Sequence, residues 1–199
     1  MSRPVLLIAG GSRGIGAAAA KLAGTRGYDV AVNYKTNSNA AAGVVEAVKK
    51  AGGKAIVVQG DMALEKDIER VFDATTDGLG PITHFVHSSG IIGDNSRLDE
   101  VSSATIREVL DLDTFGALLC LRACVKRMST KHGGKGGSVV MLSSKDGLFD
   151  RARGRMVGSD QYLTKPFTKE SLLKAVATHV VRPASGAAAP AASRSSDQG

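Results

Sequence analysis

The chain has 199 residues at 20.5 kDa, 43% of them hydrophobic and 23% charged, which is the composition of one soluble globular domain. No stretch approaches the roughly 18 apolar residues that span a bilayer, and Val5 to Ala9 is too short an apolar run for a secretory leader, so a cytoplasmic location is expected. A net charge of +7 attracts phosphate weakly, but the basic residues are spread along the whole chain and no cluster of them interleaves with aromatics, which argues against nucleic-acid binding.

Short apolar runs alternate with longer helical stretches from the first residues onward. Val5 to Ala9, Asp29 to Asn33, Ala55 to Gln59, Thr83 to His87, Val139 to Ser143 and Gln161 to Thr164 are predicted strands. Helices are predicted near Ile15 to Thr25, Asn39 to Lys50, Leu64 to Thr76, Ala104 to Lys131, Leu148 to Met156 and Thr168 to Val181. Gly27, Gly52-Gly53, Gly78 to Pro81 and Gly133-Gly134 read as helix stops. This βα repeat predicts an α/β fold: a Rossmann-like, doubly wound parallel sheet in three layers, α/β/α, over residues 1–181. Residues 182–199, rich in Pro, Ala, Ser and Gly, are expected to form a disordered tail.

The two cysteines, Cys120 and Cys124, lie four residues apart in a helical pattern and read as small apolar fillers on one face. His84, His87, His132 and His179 show no short ligand spacing, so no metal is expected.

The motif with chemical content is Ala9-Gly10-Gly11-Ser12-Arg13-Gly14-Ile15-Gly16, which follows the first strand directly and opens the first helix. Glycines there serve the tight turn, the approach of backbone to a pyrophosphate and the packing of helix on strand, and the helix start supplies free amides for an anion. On these residues the sequence resembles the short-chain dehydrogenase/reductase family over roughly residues 1–140, with Ala9 where the family has Thr. The resemblance implies a nicotinamide dinucleotide held by Gly10, Ser12, Arg13, Gly14, Ile15 and Gly16, by Asp61 and Met62 at the adenine, and by Ser89 and Gly90 after the fourth strand. After the second strand, Asn33-Tyr34-Lys35-Thr36 offers no carboxylate for a ribose 2′-hydroxyl. Arg13 and Lys35 are available for a 2′-phosphate, with Tyr34 beside them, so NADP is expected over NAD.

The resemblance further implies hydride transfer between the nicotinamide and a small carbonyl or alcohol, carried by a Tyr acid/base, a Lys, a Ser and a helical Asn. Ser144, ending Val139-Val140-Met141-Leu142-Ser143-Ser144, matches the Ser, and Asp113 stands where the Asn lies. At the family's Tyr and Lys positions this chain has Arg155 to Ser159; the nearest substitutes are Tyr162 and Lys165, spaced three rather than four, with Pro166 in the fourth place. Loss of a positioned acid/base forfeits roughly 10²- to 10⁴-fold in rate, so little turnover is expected. The substrate-covering segments that follow in the family are expected to be absent. Family members associate through helices beside the fourth and fifth strands, which singles out Leu110, Leu118, Leu119 and Leu121 for a homo-oligomer contact.

From Met141 onward the chain also resembles the end of a response-regulator receiver domain of the twitching-motility (type IV pilus) kind. The resemblance rests on Met141-Leu142-Ser143-Ser144-Lys145-Asp146-Gly147 and Gly158-Ser159-Asp160-Gln161-Tyr162-Leu163-Thr164-Lys165-Pro166-Phe167. It makes Ser143 the switch hydroxyl, Tyr162 the switch aromatic and Lys165 the partner of an aspartyl phosphate. The acidic pair and the acceptor Asp of a receiver have no counterpart here. The chain thus reads as a chimera joined in the fifth strand, predicted strand order 3-2-1-4-5-6.

Overall fold

Val5–Ala9 forms β1, and all five of its residues are buried because this strand lies in the middle of the sheet with a helical layer on each side. Its alternation divides the interior in two. Leu6 and Ile8 join Ala17, Ala20, Val44 and Val48 on one face, while Leu7 and Ala9 join Val71, Phe72, Cys120 and Ala123 on the other. The computed structural model from which this is taken describes residues 2–94, 96–143 and 163–164.

After β1 come α1 (Gly14–Thr25), β2 (Asp29–Tyr34), α2 (Ser38–Lys50), β3 (Ala55–Gln59), α3 (Glu65–Leu79) and β4 (Ile82–His87). A helical rod follows, comprising α4 (Ser103–Val109), a π-helical stretch (Leu110–Gly116) and α5 (Ala117–Met128), and then β5 (Ser138–Ser143) and β6 (Leu163–Thr164). Strand order is β3-β2-β1-β4-β5-β6 and every pairing is parallel, as expected from the sequence. Helices α1 and α2 cover one face, α3 and α5 the other, so the protein is a Rossmann-like three-layer α/β fold.

Two expectations need correction. Helix α3 passes through Gly78 and ends at Gly80, whose φ of +98° only glycine adopts freely. A side chain at Gly78 would collide with Ile56, so this glycine lets the helix lie on β3 and does not stop it. The helix expected without a break over Ala104 to Lys131 is interrupted by the π stretch and closes at Met128, before a short 3₁₀ turn at Thr130–His132. Where the rod passes Met62, any Cβ on Gly116 would strike the Met62 carbonyl, so the π turn brings the helix against the end of β3 at its one side-chain-free position.

Helix α5 is tied to α3 by ion pairs. Arg127 reaches Glu69 (2.7 Å) and Asp73 (2.6 Å) while lying over the Phe72 ring, and Arg122 pairs with Glu65. Cys120 and Cys124 are free and buried on the sheet-facing side of α5, as their spacing predicts. Burial pushes the Cys120 thiol up to about 12, which makes it unreactive. Of the four leucines singled out for contact between copies, Leu119 is a core residue, Leu121 is half-buried, and Leu110 and Leu118 are exposed. The helices predicted near 148–156 and 168–181, residues 161–162 of the last predicted strand, and the tail from 182 lie outside the described residues.

Candidate functional site

The glycine-rich loop sits between the carboxyl end of β1 and the head of α1. Gly10 has a φ of +71°, and a Cβ there would come within 2.8 Å of the Ser89 amide nitrogen, so only glycine lets this loop touch the loop after β4. Gly16, in the first turn of α1, faces the Gly10 carbonyl so closely that a methyl group would overlap it. These contacts bring the loop, the helix start and the Ser88-Ser89-Gly90 segment together. The first bond of α1 runs from the Ala17 N–H to the Arg13 carbonyl, so the amides of Gly14, Ile15 and Gly16 have no acceptor within the helix. Arg13 holds the N-cap position without a capping side-chain bond and is exposed, as is Gly14. A loop of this shape, with uncapped amides and a nearby guanidinium, suits an anion.

Asn33 holds this loop in place. It is 1% exposed, donates through Nδ2 to the carbonyls of Val58 (3.2 Å) and Gly60 (3.0 Å), and accepts through Oδ1 from the Gly10 N–H (3.2 Å). The Asn33 carbonyl also accepts from the Gly11 N–H at 2.9 Å. One buried amide thus fixes the ends of β1, β2 and β3 relative to one another. In the sequence it appears only as a residue lacking a carboxylate. Its long-range role depends on β3 lying beside β2, which no local pattern encodes.

Beside Asn33, half-buried Tyr34 ends β2, and Lys35 follows it with its ammonium 2.8 Å from Asp61 Oδ2. The other Asp61 oxygen accepts from the Ala63 N–H at 3.0 Å. The Asp61 N–H in turn donates to Asp67 (2.8 Å), which pairs with Arg70 at 2.7 Å. The bond from the Asp61 amide, reinforced by Arg70, holds the Asp67 carboxyl below its usual range, and the bond to Asp61 raises the Lys35 ammonium. Asp67 and Arg70 also escape sequence reasoning, since they act one step behind the crevice. Met62 is a core residue, with its sulfur 3.8 Å from Cys120 Sγ, so its side chain is committed to the interior.

On the far side, Asp113 projects from the π stretch and accepts the Ile91 N–H at 3.0 Å, next to Gly90. The Asp113 carboxylate therefore clamps the loop after β4. His87, at the end of that strand, is 2% exposed and its Nε2 has no hydrogen-bond partner; burial pushes its pKa down to about 4 and keeps it neutral. Gly10, Ser12, Arg13, Gly14, Ile15, Gly16, Tyr34, Lys35, Asp61, Met62, Ser89, Gly90 and Asp113 all gather at the carboxyl ends of β1 to β4 or just beyond them. Ser144, Tyr162 and Lys165 lie outside the described residues.

A crevice at the carboxyl ends of a doubly wound sheet, with a glycine loop leading into a helix, defines the class of Rossmann-like α/β proteins. The chain belongs to the short chain dehydrogenase family, which it matches over residues 4–184. That span runs past residue 140, where the resemblance read from the sequence stops. The chain is 40% identical over 140 residues to the uncharacterized oxidoreductase YgfF of Escherichia coli, covering 70% of this chain and 57% of that protein. It is 72% identical over 46 residues to Protein PilG of Pseudomonas aeruginosa, 23% of this chain and 34% of the other, which supports the pilus-regulator resemblance of the C-terminal segment. Among solved structures, a dehydrogenase/reductase from Sinorhizobium meliloti superposes with a TM-score of 0.66 at 29% identity, covering 72% of this chain and 55% of that one. The chain spans little more than half the length of the oxidoreductase relative it matches.

Proposed function

We propose that residues 1–181 form one domain that binds NADP(H), with the pyrophosphate on the loop from Gly10 to Gly16, the adenine beside Asp61 and the 2′-phosphate met by Arg13 and Lys35. The observation that carries this reading is the packing of Gly10 against Ser89 and of Gly16 against Gly10, in a loop whose following helix leaves its first-turn amides uncapped. In this arrangement Asp113 holds Gly90 and Ile91 at the edge of the crevice where the nicotinamide end would lie. The bound nucleotide would exchange a hydride with the substrate, giving it to a small carbonyl in the reduced form or taking it from a secondary alcohol in the oxidised form. Ser144 polarises the substrate oxygen and Tyr162, with Lys165, stands in as the acid. Because the spacing of this pair departs from the family pattern, turnover is slow while binding persists.

Titration with NADPH and NADH, followed by nicotinamide fluorescence and by the unfolding midpoint, tests this. Nucleotide at 100 times its dissociation constant stabilises the fold by about 2.7 kcal/mol. Saturable binding that favours NADPH is expected, and no shift with either nucleotide would refute the reading.

The PilG match favours a second reading, in which the C-terminal segment serves as a receiver-like interaction face without phosphorelay chemistry. Labelling by acetyl phosphate is expected to be nil, and transfer of label would overturn the statement that this face lacks phosphorelay chemistry. We also propose that copies of the chain associate through the rod of α4, the π stretch and α5, where Ile106, Leu110, Phe115, Leu118 and Val125 are exposed. Sedimentation at increasing concentration measures it.

A further inference from the structure

We propose that Lys35 selects against NADH as well as for NADPH, because in the free protein it occupies the Asp61 carboxylate oxygen that an adenine amino group would use. The inference rests on the dinucleotide reading given above. Both Asp61 oxygens are engaged, Oδ1 by the Ala63 N–H at 3.0 Å and Oδ2 by the Lys35 ammonium at 2.8 Å. The first contact is local to the turn after β3, and the Asp61 backbone is itself held through Asp67 and Arg70, so the carboxylate is a fixed point. Lys35 is the movable half, with its side chain 58% exposed against 18% for Asp61.

Each oxygen keeps a second lone pair, so a nucleotide that seeks Asp61 shares Oδ2 with the Lys35 ammonium, whose charge and bulk crowd it, or displaces the lysine. An ion pair this exposed shifts an equilibrium by at most about fivefold, so displacement is affordable but not free. NADPH carries its own compensation. Its 2′-phosphate accepts charge-assisted hydrogen bonds as a carboxylate does, so the ammonium released from Asp61 exchanges one anionic partner for another. NADH has no such group and, where it displaces the lysine, breaks the ion pair without replacement. One lysine thus acts twice, as a contact for one nucleotide and as a barrier to the other.

The two roles separate in a single variant. Lys35→Met removes the 2′-phosphate contact and at the same time frees Asp61. NADPH affinity is expected to fall about tenfold or more, the usual loss for a hydrogen bond to a charged group. NADH affinity is expected to rise about two- to fivefold, the worth of the released pair. Removing a positive charge near a pyrophosphate also weakens any dinucleotide through the general field, so the rise is read against Lys21→Met, an exposed lysine on α1. Both nucleotides are titrated by fluorescence into the full-length chain.

Tighter NADH binding by Lys35→Met than by Lys21→Met supports the inference. NADH binding by Lys35→Met no tighter than by Lys21→Met, alongside lost NADPH binding, overturns it and leaves Lys35 a phosphate contact only. Failure of the unmodified protein to bind either nucleotide overturns the dinucleotide reading and this inference together.

Discussion

At the scale of single residues, the glycines of the loop are not equivalent. Gly14 has a φ of +55° but open space around its Cβ position, so Gly14→Ala carries only the left-handed backbone penalty of about 1–2 kcal/mol. Gly16 is the opposite case, because a methyl group there meets the Gly10 carbonyl and the loop must move. Gly16→Ala is expected to reduce NADPH affinity at least tenfold more than Gly14→Ala, which fluorescence titration of both variants measures. Asn33 tests the clamp behind the loop. Asn33→Ala leaves the Val58 and Gly60 carbonyls and the Gly10 amide without their side-chain partner, at a cost of about 2–4 kcal/mol from buried unsatisfied groups. A urea-derived unfolding free energy that changes by less than a fifth of that would show that Asn33 holds nothing. Such a role cannot be read from Asn33-Tyr34-Lys35-Thr36, because its three partners come from strands on both sides of β2. The glycine spacing was legible for the opposite reason, since loop and helix start are contiguous in the chain.

At the scale of elements, the strands were legible because their burial is local in origin. Val5 to Ala9 is apolar without interruption, and a run that short between turn signals suits a strand covered on both faces. The rod from Ser103 to Met128 shows where that reasoning stops. Apolar residues recur through it at helical spacing, but a π turn changes which of them face the sheet, and the sequence between Leu110 and Gly116 carries no marker of the change. Within α5, Leu118 is exposed and Leu119 lies in the core, as two neighbours about 100° apart on a regular helix do. The π turn also delivers Asp113 to the loop after β4. If the carboxylate serves there as an acceptor for the Ile91 N–H, Asp113→Asn keeps the clamp through its amide oxygen, while Asp113→Ala loses about 1 kcal/mol and speeds hydrogen exchange at Ile91. Equal exchange in the two variants would contradict this.

At the scale of the whole molecule, the two faces of the sheet share one liability, a neutral histidine on each side of β4, half-buried at His84 and buried at His87. His84 lies edge-on to Tyr28 toward α1 and α2, with Nδ1 2.8 Å from Thr83 Oγ1, and His87 lies edge-on to Phe85 toward α3 and α5. Burial lowers both from the ordinary 6.5 to about 4. Between those values the unfolded chain binds protons that the folded chain refuses, so acid favours unfolding. Stability is therefore flat above about pH 6.5 and falls by about 1.4 kcal/mol per pH unit for each histidine as the pH drops toward 4. The two contributions can be separated, because the imidazoles occupy opposite faces and share no partner. His87→Leu sacrifices no bond at Nε2, which has none, and replaces a buried polar atom with an apolar one. At pH 7 this variant is expected to be at least as stable as the unmodified protein, and between pH 6.5 and 4 its denaturation midpoint should fall with half the slope. An unchanged slope would mean that the fold admits water or a proton to His87 and that the α3–α5 face opens before the rest of the sheet.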